Sequence, residues 1–418
     1  MPSVTGSNGW TGGQYSLYRV IFGTYLFFHF AQLIPWGAEL FSDAGVLPDP
    51  DASPLTHLIP NVLALWDSPA LVTCMLAGAT AFALLFSIGI ADRAAAIAMW
   101  YVLACVFGRN PLIANPSLPF VGWLLLAHVF LPRAPYGSWI ARGRSDPGGG
   151  WRMPQPIFVV AWIVMAVGYS YSGYTKLVSP SWIDGTALAH VMENPLARPG
   201  PFRDLFLMLP EVLQRLSTWS VLALELGFAP LALFRPLRRW IWGVMVAMHL
   251  GLLTIIDFAD LSLGMVVLHL FTFNPTWVRP RGARDPEMLF YDGQCGLCHG
   301  TVRFVLAEDE EGQGFRFAPL QSEAFRRVVP EESRPGLPDS LVLRTTEGSL
   351  LVRSAAVLRI LERLGGVWRV LAGLARLIPA RARDAVYNGI ARVRHHLFKQ
   401  PAQICPLVPP ALQERFEA

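Results

Sequence analysis

Charge is scarce in this chain. Asp, Glu, Lys and Arg make up 15% of 418 residues, against 53% hydrophobic residues and a mean hydropathy of +0.39. Soluble domains carry about 25% charged residues, so the shortage excludes a wholly soluble protein and a disordered one. The formal net charge of +4 is small, and no basic run interleaved with aromatics occurs, which leaves no nucleic-acid-binding signature. Cysteine is also sparse: five, widely scattered, which excludes a disulfide scaffold. Cys74 and Cys105 fall in apolar segments and read as packing residues. The N-terminus lacks a basic stretch followed by a cleavage site, so no removable signal peptide is expected. No internal repeat is present. The length allows two or three domains.

What the chain has in abundance is long apolar runs. Eight segments, at about residues 15–34, 69–90, 94–113, 117–131, 156–175, 212–234, 239–256 and 261–277, predict membrane helices. The fourth is short for a spanning helix. Residues 1–14, rich in Gly, Ser and Thr, are expected to be flexible. The loop 132–155 holds Arg133, Arg142, Arg144, Arg152 and a triple glycine and reads as a basic connector; the loop 177–211 is long and proline-rich. Arginine distribution sets the orientation. With the N-terminus cytoplasmic, its side holds Arg19, Arg93, Arg133, Arg142, Arg144, Arg152, Arg235, Arg238, Arg239, Arg279, Arg281 and Arg284. The outer side holds only Arg109, Lys176, Arg198, Arg203 and Arg215. Eight spans then return the chain to the cytoplasm. The expectation is a multi-pass protein of the cytoplasmic (inner) membrane with its N-terminus and C-terminal domain both cytoplasmic.

After a basic linker at 279–286, the run Met288-Leu289-Phe290-Tyr291 leads into Asp292-Gly293-Gln294 and then Cys295-Gly296-Leu297-Cys298-His299. That pattern predicts strand, turn and helix, with two sulfurs at a helix N-terminus. Unpaired N–H groups there favour a thiolate, the reactive form of cysteine, and a second thiol three residues on resolves a mixed disulfide. Cys295 is expected to be the attacking thiol and the more exposed, Cys298 the resolving thiol, with Asp292 and His299 handling protons. A half zinc site reads similarly; His299, His395 and His396 keep that alternative open, although no second Cys pair follows and Cys405 stands alone. Redox chemistry without a metal is the expectation. Further along, strands at 315–318, 340–345 and 349–352, a short helix near 322–328 and a helix at 354–364 give the order βαβαββα, which fits a small thioredoxin-like α/β domain. Two arginine-rich amphipathic helices over 367–397 either cover the sheet or lie on the membrane. Pro338 is the nearest candidate for a cis-proline opposite the Cys pair.

The phrase Tyr291-Asp292-Gly293-x-Cys295-x-Leu297-Cys298 resembles the DCC family (DUF393) of thiol-disulfide oxidoreductases. The likeness continues through Phe315-Arg316-Phe317-Ala318-Pro319-Leu320-Gln321-Ser322, Arg353 to Leu358 and Tyr387 to Arg394. It covers about 287–408, leaving 409–418 as a tail, and implies a partner that is a thiol-containing protein or a small-molecule reductant.

The membrane part, about 15–278, has its own polar features, which are functional candidates at membrane depth. Tyr169-Ser170-Tyr171-Ser172-Gly173-Tyr174-Thr175-Lys176-Leu177 ends the fifth helix, and Asp43-Ala44-Gly45 and residues 219–274 are further landmarks. These stretches resemble the HTTM family, which includes vitamin-K-dependent γ-glutamyl carboxylase. The resemblance implies that Lys176 is a base acting on a reduced quinone, with Glu225 and His249 in support. By themselves the residues name no cofactor. Tyr171 and Tyr174 offer hydroxyls to a ligand oxygen. Where the carboxylases carry Asn-His, this chain has Asn115-Pro116, so carboxylation of protein glutamate is not implied. Three readings follow. The first is a membrane redox enzyme with a quinone among its helices. The second is a cytoplasmic oxidoreductase on a membrane anchor. The third is a non-enzymatic redox sensor or assembly factor.

Overall fold

A computed structural model describes residues 8–113, 115–281, 285–338, 341–397 and 408–417, with the backbone alone at 395–397. The chain divides into two units. One comprises Tyr18–Leu131 and Pro154–Phe273; the other combines Met1–Leu17, Pro132–Met153 and Asn274–Ala418.

In the first unit each apolar segment forms a helix. These are α1 (Gly12–Leu33, whose first residues belong to the other unit), α2 (Pro69–Ile88), α3 (Asp92–Arg109) and α4 (Leu118–Phe130). They are followed by α5 (Gln155–Lys176), α6 (Glu211–Leu233), α7 (Arg235–Ile255) and α8 (Ala259–Thr272). Among the described residues four helical stretches are long and apolar enough to cross a membrane: Gly12–Phe41, α2, α5 and α6. The apolar helices α4 and α8 are shorter.

α5 and α6 approach closely because Gly173 has no side chain. A Cβ there would lie 2.7 Å from the backbone nitrogen of Leu226. Pro230 sits inside α6 and has no N–H to give the Leu226 carbonyl. The Ser170 hydroxyl on α5 lies 3.1 Å from that carbonyl oxygen and accepts the Ala229 N–H at 3.0 Å. A neighbouring helix thus satisfies the groups a proline frees, as an apolar surrounding demands.

The second unit holds a four-stranded mixed sheet in the order β2-β1-β3-β4. The strands are β1 (Glu287–Tyr291), β2 (Phe315–Pro319), β3 (Val342–Arg344) and β4 (Leu350–Val352). Helix α9 (Gly296–Glu308) connects β1 to its parallel neighbour β2, and α10 (Glu323–Val328) follows. β3 runs antiparallel to both β1 and β4. Then come α11 (Arg353–Leu364), α12 (Gly366–Arg376) and α13 (Ala380–Leu397). The period-two pattern of β1 explains why it is central. Leu289 and Tyr291 enter a core with Val302, Val305 and Ile360, whereas Phe290 enters the opposite one with Ala324, Phe325 and Val329. The elements expected from the sequence are all present. Among the described residues there is no cis peptide bond, so Pro338 is trans.

Two boundaries differ from the sequence reading. Residues 8–14 are packed: Trp10, Thr11 and Gln14 are buried. Residues 408–417 also belong to the fold, since Phe317 donates its N–H to Arg415 O at 2.9 Å and Arg415 pairs with Asp309. Short polar segments carry too little pattern to reveal such docking.

Glu308, the last residue of α9, holds Thr11 and Gly13 of the same unit. It is 5% exposed. Its carboxylate accepts the Gly13 N–H at 2.8 Å, the Trp368 indole N–H at 2.6 Å and the Thr11 hydroxyl. It therefore serves the unpaired first turn of α1. Burial pushes its carboxyl above the usual range, and the three donors pull it part of the way back. The folded state thus holds this proton more tightly than the unfolded chain does. The stabilisation is full below the unfolded glutamate pKa of about 4.3 and is lost as pH rises through the raised folded value. Glu308→Gln is expected to flatten that slope. It should also cost about 1–3 kcal/mol, because an amide N–H must then face one of the three donors. Thermal unfolding of the full chain at several pH values checks both effects.

Candidate functional site

β1 ends at Tyr291, and the chain turns through Asp292 and Gly293 before α9 begins. The turn is built by Asp292, whose Oδ1 accepts the Gln294 N–H at 3.0 Å and whose carbonyl accepts the Cys295 N–H at 3.2 Å. Gln321 braces it from the end of β2, its Oε1 accepting the Gly293 N–H at 3.3 Å and its Nε2 reaching Asp292 at 3.4 Å. The turn delivers Cys295 to the N-cap of α9, where its Sγ accepts the Cys298 N–H at 3.4 Å. Both thiols are free. His299 closes the turn with Nε2 3.0 Å from the Gly293 carbonyl oxygen. Arg394 of α13 brings a guanidinium nitrogen 3.9 Å from Asp292 Oδ2.

The two sulfurs are not equivalent. Burial, then the hydrogen bond and charge of Cys295, push the Cys298 thiol far up, so it stays protonated at neutral pH. Cys295 is the acceptor of the pair. The expectation that Cys295 is the more exposed is corrected: it is 1% exposed and Cys298 6%. In taking the Cys298 N–H, the Cys295 side chain folds back over the helix end into the core shared by Leu289, Tyr291, Phe317 and Val408. The structure places Asp292, Cys295, Cys298 and His299 at one turn, and the sequence reading gave no role to Gln321 and Arg394. Their signal lay in the phrases around Phe315 to Ser322 and Tyr387 to Arg394. Among the described residues no group of three His, Cys, Asp or Glu is placed to hold a metal ion. The side chains of His395 and His396, and Cys405, lie outside the described residues.

In the first unit Lys176 forms an ion pair with Glu225. Its Nζ donates to Ser172 Oγ at 3.2 Å and lies 4.8 Å from the Trp182 ring centre. Glu225 is therefore the acidic partner of Lys176. His249 instead meets Tyr169, with Nε2 2.7 Å from the hydroxyl, and His269 lies 3.4 Å from the same hydroxyl. Tyr171 and Tyr174 are each 65% exposed and lie outside this cluster, so the structure does not bring them to Lys176. Their helix is apolar on most sides, and nothing in its pattern tells which tyrosine turns inward; it is Tyr169. Elsewhere in this unit a cavity of about 430 Å³ is lined by His29, Asn115 and Asp260, where Asn115 donates to Asp260 at 2.7 Å.

Comparisons with known proteins bear on the C-terminal domain. A family model described as DCC1-like thiol-disulfide oxidoreductase matches residues 289–400. An uncharacterised protein of Bacillus subtilis, YuxK, is 33% identical over 134 residues, 31% of this chain and 93% of the relative. A chloroplastic DCC family protein of Arabidopsis thaliana is 34% identical over 115 residues, 28% of this chain and 66% of the relative. No solved structure gives a significant match.

Proposed function

This chain belongs, through its C-terminal domain, to the DCC1-like thiol-disulfide oxidoreductase family, and on that premise we propose that it is a membrane-borne dithiol–disulfide exchange enzyme. The observation that carries the reading is the asymmetry of the thiols. Cys295 Sγ accepts a helix N-terminal N–H while Cys298 is held as a thiol. In the reducing direction the Cys295 thiolate attacks a substrate disulfide, forms a mixed disulfide and releases one substrate thiolate. Cys298 then attacks Cys295 Sγ as its proton passes to the leaving substrate sulfur, so that the second half of the substrate departs as a thiol. Two electrons pass to the substrate, and an external thiol donor restores the dithiol. His299 and Asp292 stand beside the helix mouth as proton-handling groups. The strand order β2-β1-β3-β4, with β3 antiparallel to the rest, supports a thioredoxin-like domain.

Cys298→Ser protein is expected to accumulate a stable mixed disulfide on Cys295 when offered a disulfide substrate, because the resolving thiol is gone. Mass spectrometry of the peptide holding residue 295 checks this. Adducts at neither cysteine, or adducts formed through Cys298 in Cys295→Ser protein and not through Cys295, would sink the assignment.

For the membrane unit the reading is eight spans with the dithiol domain on the cytoplasmic side, in the inner membrane of the cell. Arginine placement supports it. A quinone bound near Lys176 remains part of the proposal, supported by the Lys176–Glu225 pair and the buried Tyr169–His249 pair. The ion pair weighs against Lys176 as a base, since a proton acceptor must first leave its carboxylate.

A further inference from the structure

Four guanidiniums from four separate segments line one open pocket of the second unit. They are Arg281 of the linker, Arg359 of α11, Arg376 of α12 and Arg383 of α13, and the pocket measures about 610 Å³. Local contacts bring the segments together. The Arg281 N–H donates to Glu362 O at 2.9 Å, and Asp384 of α13 accepts the N–H and hydroxyl of Ser354 at the start of α11. The sheet keeps this pocket apart from the dithiol. Arg344 pairs with Met288 near the start of β1, and the Thr345–Ser349 turn that edges the pocket lies beyond it. Cys295 follows Tyr291, at the opposite end of β1.

The charges facing one another do not balance. Arg359 is neutralised from the core side, where Glu287, 1% exposed, accepts its Nε at 3.0 Å and its Nη2. Arg281 and Arg376 share a single buried oxygen, Glu362 Oε1, at 3.8 and 2.6 Å, and both side chains stay half exposed. Each guanidinium has more N–H donors than these pairs use. Arg383 gives its Nε to Ile378 O at 3.0 Å, while its Nη1 is buried with no acceptor among the described residues. The remaining carboxylate, Glu347, stands at the solvent-facing rim. The pocket thus holds surplus cationic donors, and a guanidinium held from behind by a carboxylate presents its fork to a tetrahedral oxyanion. Its volume exceeds a bare anion's and is in the range that takes small organic ligands, and Leu351, Ala355 and Leu358 line the rest. We propose that this pocket binds a phosphoryl group carried on a small organic body, with Arg281, Arg376 and Arg383 on its oxygens. Soluble phosphate esters and phospholipid headgroups both present that group.

The test titrates the full chain, in uncharged maltoside micelles, with glycerol 3-phosphate and separately with short-chain phosphatidic acid, and reads binding by calorimetry. Saturable binding of glycerol 3-phosphate marks a soluble ester as the ligand, and binding of phosphatidic acid alone marks a lipid headgroup; either supports the proposal. Arg376→Gln with Arg383→Gln should weaken binding by at least about tenfold. Arg327→Gln, exposed on α10, should leave it unchanged. Glu347→Gln removes the opposing carboxylate at the rim and should tighten binding severalfold, a gain that a misfolded chain does not produce. Cys295→Ser should bind as the parent does, which keeps this site's test separate from that of the dithiol. Saturable binding of neither ester overturns the proposal. So does binding indifferent to the double arginine change, or weakened by Glu347→Gln or by Cys295→Ser.

Discussion

Cys295→Ser protein is expected to lose dithiol–disulfide exchange down to the rate of the uncatalysed reaction, with its fold intact. A serine hydroxyl is not ionised near neutral pH and cannot attack a disulfide as a thiolate does. Serine is nevertheless among the best N-cap residues, and its oxygen takes over the Cys298 N–H that Cys295 Sγ accepts at 3.4 Å. Thermal unfolding should therefore move by no more than about 1 kcal/mol. The measurement is dithiothreitol-driven reduction of insulin disulfides by the purified full chain, with unfolding followed in parallel. Retention of half the parent activity would remove Cys295 from the reaction. Because Cys295 is 1% exposed, a large substrate must displace its cover, so a small disulfide should react faster than a folded protein one.

The second large effect is expected at the Lys176–Glu225 pair. Breaking a buried ion pair by removing one partner strands the other charge, at a cost of about 3–5 kcal/mol, while removing both is often neutral. The side chains are 21% and 7% exposed, low enough for that to apply. Lys176→Met and Glu225→Leu should each destabilise the membrane unit by that order. The double variant should recover most of the loss. Equilibrium unfolding of the full chain in mixed micelles reads the cycle. Additive losses would mean that the two charges do not depend on each other. Quinone-dependent oxygen consumption in the same variants separates the roles. If Lys176 is a base, the double variant recovers stability but no turnover.

The legible part of this protein is the part written in local pattern. The apolar run Met288 to Tyr291, the Asp292-Gly293 turn and the helical spacing after Cys295 dictate strand, turn and helix, because backbone geometry responds to neighbours a few residues away. The same holds for the order of the small domain and for the helical character of the apolar segments. It also places Asp292, Cys295, Cys298 and His299 at one point, since a strand–turn–helix leaves them nowhere else to go.

Tertiary structure decided what periodicity does not encode. A helix apolar on most sides gives no signal for its rotation about its own axis. So only packing shows that Tyr169 meets His249 while Tyr171 and Tyr174 face out. Glu225 finds Lys176 because Gly173 lets α5 and α6 close together, a contact between residues 49 apart. Cys295 is buried in a core that Val408 joins from far along the chain, and Thr11 and Gly13 are held because Glu308 accepts their donors. Each of these depends on which distant surfaces come into contact, and that is settled by the free energy of the whole fold rather than by any one stretch of the chain.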